Sequence, residues 1–166
     1  MIILDEHEIF SLVSLSIANL ENLRLWKNKH RNSFFHKEII TTKQQLEWFN
    51  SYLNDSENQM YIVMLNGEAI GCMGYRFKEG VIDVYNIMRG VETNHEKFTM
   101  SDAFKLMLNF INYKYQKKIS CVVLNENPAF NWYLKNEFEV KEEYETYSLL
   151  EYNPKKYSKN FIVKED

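Results

Sequence analysis

A single mixed α/β (α+β) domain is the fold class that this sequence predicts, from three observations. Segments of helical and of strand period follow the order strand, two helices, three strands, helix, strand, helix, strands. The middle of the chain holds three period-two runs joined by turn residues, which is an antiparallel meander. A long apolar-faced helix then crosses between two strands able to pair in parallel, as in a βαβ unit. With 166 residues, 45% hydrophobic and 26% charged, the chain suffices for one core. Residues 1–152 are expected to form the domain and 153–166 a polar tail with a short last strand at Asn160 to Val163.

Ile9 to Leu15 alternates and opens the sheet, and Asn19 stands where an N-cap would precede the helix ENLRLWKN. Leu20, Leu23, Trp26 and Leu25 give that helix its apolar face. Thr41 or Thr42 caps a second helix, with Leu46, Phe49 and Leu53 at helical spacing. The intervening loop HRNSFFHKEII is rich in Arg, His and Phe, a composition that suits substrate contact. MYIVML, EAIGCMGYRF and VIDVYNIM form the meander, turned at Asn66-Gly67 and at Lys78 to Gly80. The long helix runs from about Thr99 to Tyr115, with Phe104, Leu108 and Ile111 on one face and Leu106, Met107 and Phe110 widening it. The buried strand ISCVVL, the short helix PAFNWYLK and a closing hairpin complete the order.

The net charge of -3 and the interleaving of basic and acidic residues leave no stripe for a nucleic-acid backbone. Cys72 and Cys121 lie in apolar runs with neither a zinc-ligand nor a disulfide spacing, which suits a reducing cytoplasm and no metal. Acids interrupt the N-terminal apolar run, and no segment reaches membrane-spanning length. No nucleic acid and no membrane are therefore expected as partners.

VLNENPAFNWYLKNEF, from Val123 to Phe138, resembles a conserved segment of the GNAT N-acetyltransferases: a strand end, Asn, Asn, Ala, a Tyr at the helix end and a Gly-Phe pair. Asn125, Asn127, Ala129, Tyr133 and Phe138 occupy those places, with Glu137 where the family writes glycine. Trp26 to Phe49 and Asp83 to Gly90 are similar to a bacterial GNAT subgroup that includes amino-sugar acetyltransferases acting on nucleotide-linked sugars. The resemblance implies the GNAT fold: a mixed, mostly antiparallel sheet of about six to seven strands, splayed at the fourth and fifth and flanked by about four helices. It implies acetyl-CoA as acyl donor, a small amine as acceptor, a monomer or homodimer, and a cytoplasmic enzyme.

By the same resemblance, Asn125, Asn127 and Ala129 meet the pantetheine arm, and Tyr133 protonates the departing thiolate. Taken by themselves, the two Asn residues could equally cap the helix begun at Pro128, and Tyr133 could pack on Phe130 and Phe138. The family's pyrophosphate loop carries glycines just before the long helix; here His95, Phe98 and Met100 fall in its register. Phe98 is expected to obstruct the phosphates, while Arg89, His95, Lys97 and the amides up to Thr99 and Met100 supply positive charge and donors.

Direct acyl transfer requires a neutral amine, donors for the developing oxyanion and a proton for the thiolate. Backbone N–H groups near Ile87, Met88 and Arg89, at a bulge that relatives carry, are the oxyanion candidates. Asp83 and His36 are the candidate bases, although Asp83 could merely pair with Arg76 and His36 could be a solvated loop residue. Arg24, Asn28, Arg31, Phe34, Phe35 and Asn86 are the candidate acceptor contacts. A binding module of weakened activity and a protein N-terminal acetyltransferase remain open as alternatives.

Overall fold

The structure is a computed structural model that describes residues 2–3 and 9–164. The acids of the N-terminal run and the last two residues lie outside the described residues. In chain order the elements are β1 (Ile2–Ile3), β2 (Phe10–Ser14), α1 (Leu20–Lys29), α2 (Thr42–Tyr52), β3 (Asn58–Leu65), β4 (Glu68–Lys78) and β5 (Val81–Arg89). They continue with α3 (Met100–Tyr115), β6 (Ile119–Leu124), α4 (Phe130–Lys135), β7 (Phe138–Glu143), β8 (Tyr147–Tyr152) and β9 (Ile162–Val163).

Among the described residues the strands form one sheet in the order β7-β8-β6-β5-β4-β3-β2-β1-β9. The six to seven strands expected correspond to β2 to β8; the two-residue β1 and β9 pair with each other and prolong one edge. Every neighbouring pair is antiparallel except β5 and β6, which run parallel and are joined through α3 as the βαβ pattern predicts. The hairpin β3-β4 turns on Asn66 and Gly67, with φ of 49° and 84°, the left-handed pair that a type I′ turn demands.

Each face of the sheet carries its own core. Leu20, Leu23 and Trp26 of α1 and Phe49 of α2 pack on Met60, Ile62, Cys72 and Met88. On the other face Phe104, Met107, Leu108 and Ile111 of α3, with Tyr133 of α4, pack on Val63, Met73, Ile82, Val84, Cys121 and Phe138. Burial of each such large apolar side chain contributes about 1.5–3 kcal/mol, so α3 is held by its packing rather than by helix propensity.

Two details of the helices differ from expectation, and a third decides between the two caps expected for α2. A 3₁₀ turn over Ile17–Asn19 leads into α1, and the Asn19 side chain makes no capping bond, because that turn already closes through backbone bonds to Ser16 and Ile17. Thr41 rather than Thr42 caps α2: its Oγ1 accepts from the Gln44 amide at 3.3 Å while Gln44 Oε1 accepts from the Thr41 amide at 2.9 Å. Leu46 and Leu53 are exposed, as is Leu25 of α1. In α2 the inward stripe is Gln45, Trp48, Phe49 and Tyr52, and each leucine lies one residue, about 100° of rotation, beyond it.

Candidate active site

The site begins where β5 and β6 part. Their pairing is confined to Ile82 with Ile119 and Asp83 with Ser120; beyond it the two strands diverge and leave one edge of β5 unpaired by β6. A bulge on β5 helps to cause this: Met88 pairs with Cys72 but Tyr85 with Gly74, so Asn86 and Ile87 together oppose Met73. Asn86 takes φ of 50°, a conformation that Asn tolerates better than most residues. Its carbonyl accepts from the Cys72 thiol at 3.3 Å, and its side-chain oxygen accepts from Lys27. Burial pushes the Cys72 thiol up to about 12, so it stays a proton donor.

The extra residue changes which face each later side chain meets. Asp83, Tyr85 and Asn86 face the α1/α2 side, Ile87 joins the α3 core and Met88 the α1 core. At the strand end, Gly90 admits the ring of Trp26: a Cβ there would lie 2.0 Å from it. That close seat holds α1 against the sheet and places Lys27, the next residue, beside the bulge.

Two cavities follow from this geometry, one on each face. The first, about 760 Å³, is lined by Ile87 and Arg89 of β5, His95 to Met100 in part, and Pro128, Ala129, Trp132 and Tyr133. The second, about 330 Å³, is lined by Lys27, Phe34, Phe35, His36, Trp48, Arg76, Asp83, Tyr85, Asn86, Asn127 and again Tyr133. Tyr133 is 9% exposed, packs edge-on against Phe104 and Phe138, and its hydroxyl bonds to no other described residue. Burial raises its pKa, first of all causes, so the hydroxyl keeps its proton beyond the ordinary tyrosine range.

In the smaller cavity Asp83, 5% exposed, accepts from Arg76 Nε at 2.9 Å. Burial raises its pKa and Arg76 opposes the rise. The guanidinium also lies 4.7 Å over the Tyr85 ring, whose hydroxyl donates to Asn58. Asp83 is thus both the partner of Arg76 and a carboxylate facing the cavity. His36 lines the same space but is exposed.

In the larger cavity Phe98 does not obstruct. It is 4% exposed, and its ring turns into the core against Phe10, with centroids 4.8 Å apart. The main chain is thereby left open beside the start of α3, where first-turn amides lack helical partners. Thr99 caps that helix through Asp102, whose Oδ2 accepts from the Thr99 amide at 2.7 Å and its hydroxyl at 2.8 Å. Arg89 holds the approaching loop, donating to the Thr93 carbonyl at 2.8 Å and pairing with Glu92 at 3.2 Å.

Several expected contacts lie elsewhere. Arg24 and Asn28 both donate to the Ile40 carbonyl, at 3.1 and 2.9 Å, and Asn28 Oδ1 accepts from the Ile40 amide. They tie down the loop between the helices and line neither cavity. Arg31 donates to the Asn28 carbonyl and lines neither. Asn125 is spent on the closing hairpin, donating to the Tyr144 carbonyl at 2.8 Å and accepting from Ser148 at 2.7 Å. Asn127 does not cap α4, whose N-cap position is Ala129; its Oδ1 accepts from the Ala129 amide at 2.9 Å in the turn before the helix, and it faces the smaller cavity. Met88 is buried in the α1 core, and neither it nor Lys97 lines either cavity.

Lys27, Trp48, Tyr85 and Trp132 line the cavities without having been singled out by sequence. Tyr85 was recoverable, since it sits two residues after Asp83 on the same strand face. Lys27 falls in the Trp-Lys-Asn helix end that the subgroup resemblance rests on, but by itself it reads as one helix cation among several.

The sequence matches no protein-family model and no curated protein. Solved structures match its shape. FdhC, a nucleotide-linked sugar GNAT in its apo form, superposes with a TM-score of 0.73 at 14% identity, over 87% of this chain and 86% of the other. The chain has the GNAT fold. The Campylobacter jejuni N-acetyltransferase PseH with acetyl coenzyme A shares it at a TM-score of 0.65 and 12% identity, over 86% of this chain and 96% of that one. So does the Vibrio cholerae spermidine N-acetyltransferase with CoA and spermine, at 0.67 and 18%, over 87% and 94%. In this fold the parting of β5 and β6 is the split expected at the fourth and fifth strands, counted from β2.

Proposed function

We propose that this chain is an acetyl-CoA-dependent N-acetyltransferase that acetylates a primary amine of a small acceptor, preferably a nucleotide-linked amino sugar, by direct attack. The observation that carries the reading is Tyr133, whose side chain borders both cavities at the parted strands. A proton donor at the meeting point of a donor and an acceptor site is what thioester aminolysis requires.

The larger cavity suits the cofactor. Ile87, Phe98, Met100, Pro128, Ala129 and Trp132 offer apolar wall to a pantetheine arm, and the α3 N-terminus with Arg89 and His95 offers donors and charge to phosphates. Acetyl-CoA supplies an activated acyl thioester when bound. β6 leaves β5 unpaired near Ile87 to Arg89, and an amide on that edge would stabilise negative charge developing on the carbonyl oxygen. Asp83 takes the proton of the attacking amine, directly or through water, with Arg76 fixing its orientation. Tyr133 gives its proton to the sulfur as the C–S bond breaks.

Calorimetric titration with acetyl-CoA and CoA tests this reading. Saturable binding of both, with amine-dependent thiol release, is expected; no saturable binding at millimolar cofactor removes the enzyme. A preference for a peptide N-terminus over every small amine would move the acceptor class instead.

A further inference from the structure

A third cavity, about 320 Å³, adjoins the acceptor side of the site. Lys27, His36, Trp48 and Asn86 line both it and the acceptor cavity, so the two are chambers of one space that meet at the Lys27 side chain. The second chamber reaches away from Tyr133 and ends on α2, at Gln45.

Two groups lining this space keep unused hydrogen-bonding capacity. The Lys27 ammonium lies 3.6 Å over the Phe34 ring and donates to the Asn86 side-chain oxygen, yet it pairs with no carboxylate among the described residues. Burial lowers its pKa to about 8, and Arg76 adds a smaller, like-charge push in the same direction. Asp83 offers it no relief, being engaged by Arg76. Gln45, only 5% exposed, lines the chamber with a side-chain amide that bonds to no described residue. A half-buried cation with no carboxylate beside it, in a space whose far wall carries an amide free to hydrogen-bond, favours an anionic ligand that engages both.

We propose that the second chamber is a distal acceptor subsite for an oxyanion: Lys27 pairs with a phosphate or carboxylate borne by the amine substrate, and Gln45 hydrogen-bonds the polar body behind it. This rests on the acyltransferase reading and narrows it. An amine that carries an anion is accepted, and a polyamine is rejected by the uncompensated charge of Lys27.

Calorimetry on the full chain with CoA present, using UDP, glutarate and spermidine as probes, tests the subsite. Saturable binding of UDP, of glutarate or of both is expected, the pattern telling phosphate from carboxylate, with spermidine at least about tenfold weaker. Lys27→Met lowers the anion's affinity about tenfold or more, Lys27→Arg largely retains it, and Gln45→Leu weakens it by a smaller factor. CoA affinity stays unchanged in all three variants, which also certifies their folding. The subsite is overturned by spermidine binding as tightly as the anions, by neither anion binding, or by anion affinity indifferent to Lys27→Met. Loss of CoA binding by the parent chain would instead remove the acyltransferase reading, so the two failures are separable.

Discussion

The two main cavities share Tyr133 but are built from different materials. The α3-side cavity is walled mostly by apolar side chains and by main chain at a helix start, whereas the α1/α2-side cavity is walled by charged and aromatic side chains drawn from α1, the loop after it, α2, β4 and β5, with an aliphatic floor from β6. A wall of main chain tolerates nearly any sequence that keeps its path, so His95 to Met100 can replace glycines without closing the cavity. A wall of side chains does not, and acceptor choice therefore resides in individual residues such as Lys27 and Asp83.

The sharpest way to break the comparison is at the shared residue. Tyr133→Phe is expected to lower kcat by about 10²–10⁴-fold, the usual contribution of a positioned acid, with CoA affinity nearly unchanged. An unaltered kcat would leave Tyr133 as wall alone. Phe98→Ala tests whether the cofactor cavity depends on side-chain packing behind its main chain. Loss of the buried ring against Phe10 should cost about 3–5 kcal/mol in urea unfolding, and CoA should bind no better. Tighter binding would mean that the ring had obstructed after all.

Asp83→Asn probes the acceptor wall. Because burial raises the Asp83 pKa above its ordinary 3.8, the carboxylate is lost as pH falls through that raised value. The acid limb of kcat/KM should therefore lie above the ordinary aspartate value, and in the variant it should vanish along with about 10² of activity. On the alkaline side Tyr133, raised by burial, should contribute no limb near pH 10. A pH profile identical in both proteins would leave Asp83 only its pairing with Arg76.

Much of the fold could be read from the sequence because it depends on period and turn chemistry. The alternations around Asn66-Gly67, and the stripe of α3, fix elements locally. The site was less legible for two physical reasons. The bulge is a mismatch between β4 and β5, visible only once Cys72 is seen opposite Met88 and Gly74 opposite Tyr85. Side-chain direction also depends on distant partners: Phe98 turns inward because Phe10 waits there, and Arg24 and Asn28 turn toward Ile40. Lys27 turns toward the gap because Trp26 is seated on Gly90, a contact that neither residue announces alone.

Asn86→Ala weighs the bulge itself. An alanine at φ of 50° costs about 1–2 kcal/mol and also removes the oxygen that Lys27 donates to, so both stability and acceptor binding should fall. Asn86→Gly should recover the stability but not the binding. Equal effects of the two on both properties would mean that the strain is immaterial.

The smallest effect is expected at Glu137, which follows α4 with φ of 65° where the GNAT pattern writes glycine. Its amide closes the helix on the Leu134 carbonyl at 3.2 Å, and its own carbonyl accepts from Asn153 at 2.8 Å, so the backbone is held in the left-handed conformation from both sides. Glycine there removes about 1–2 kcal/mol of steric cost but surrenders about 0.5–1 kcal/mol to the freer unfolded chain. It also loses the carboxylate that accepts from the Lys155 amide at 3.3 Å. Glu137→Gly should thus stabilise by less than about 1 kcal/mol, as a higher urea midpoint at constant slope, with both cavities unaffected because Glu137 borders neither. A destabilisation would mean that the bond to Lys155, which anchors the start of the tail, outweighs the strain it accompanies.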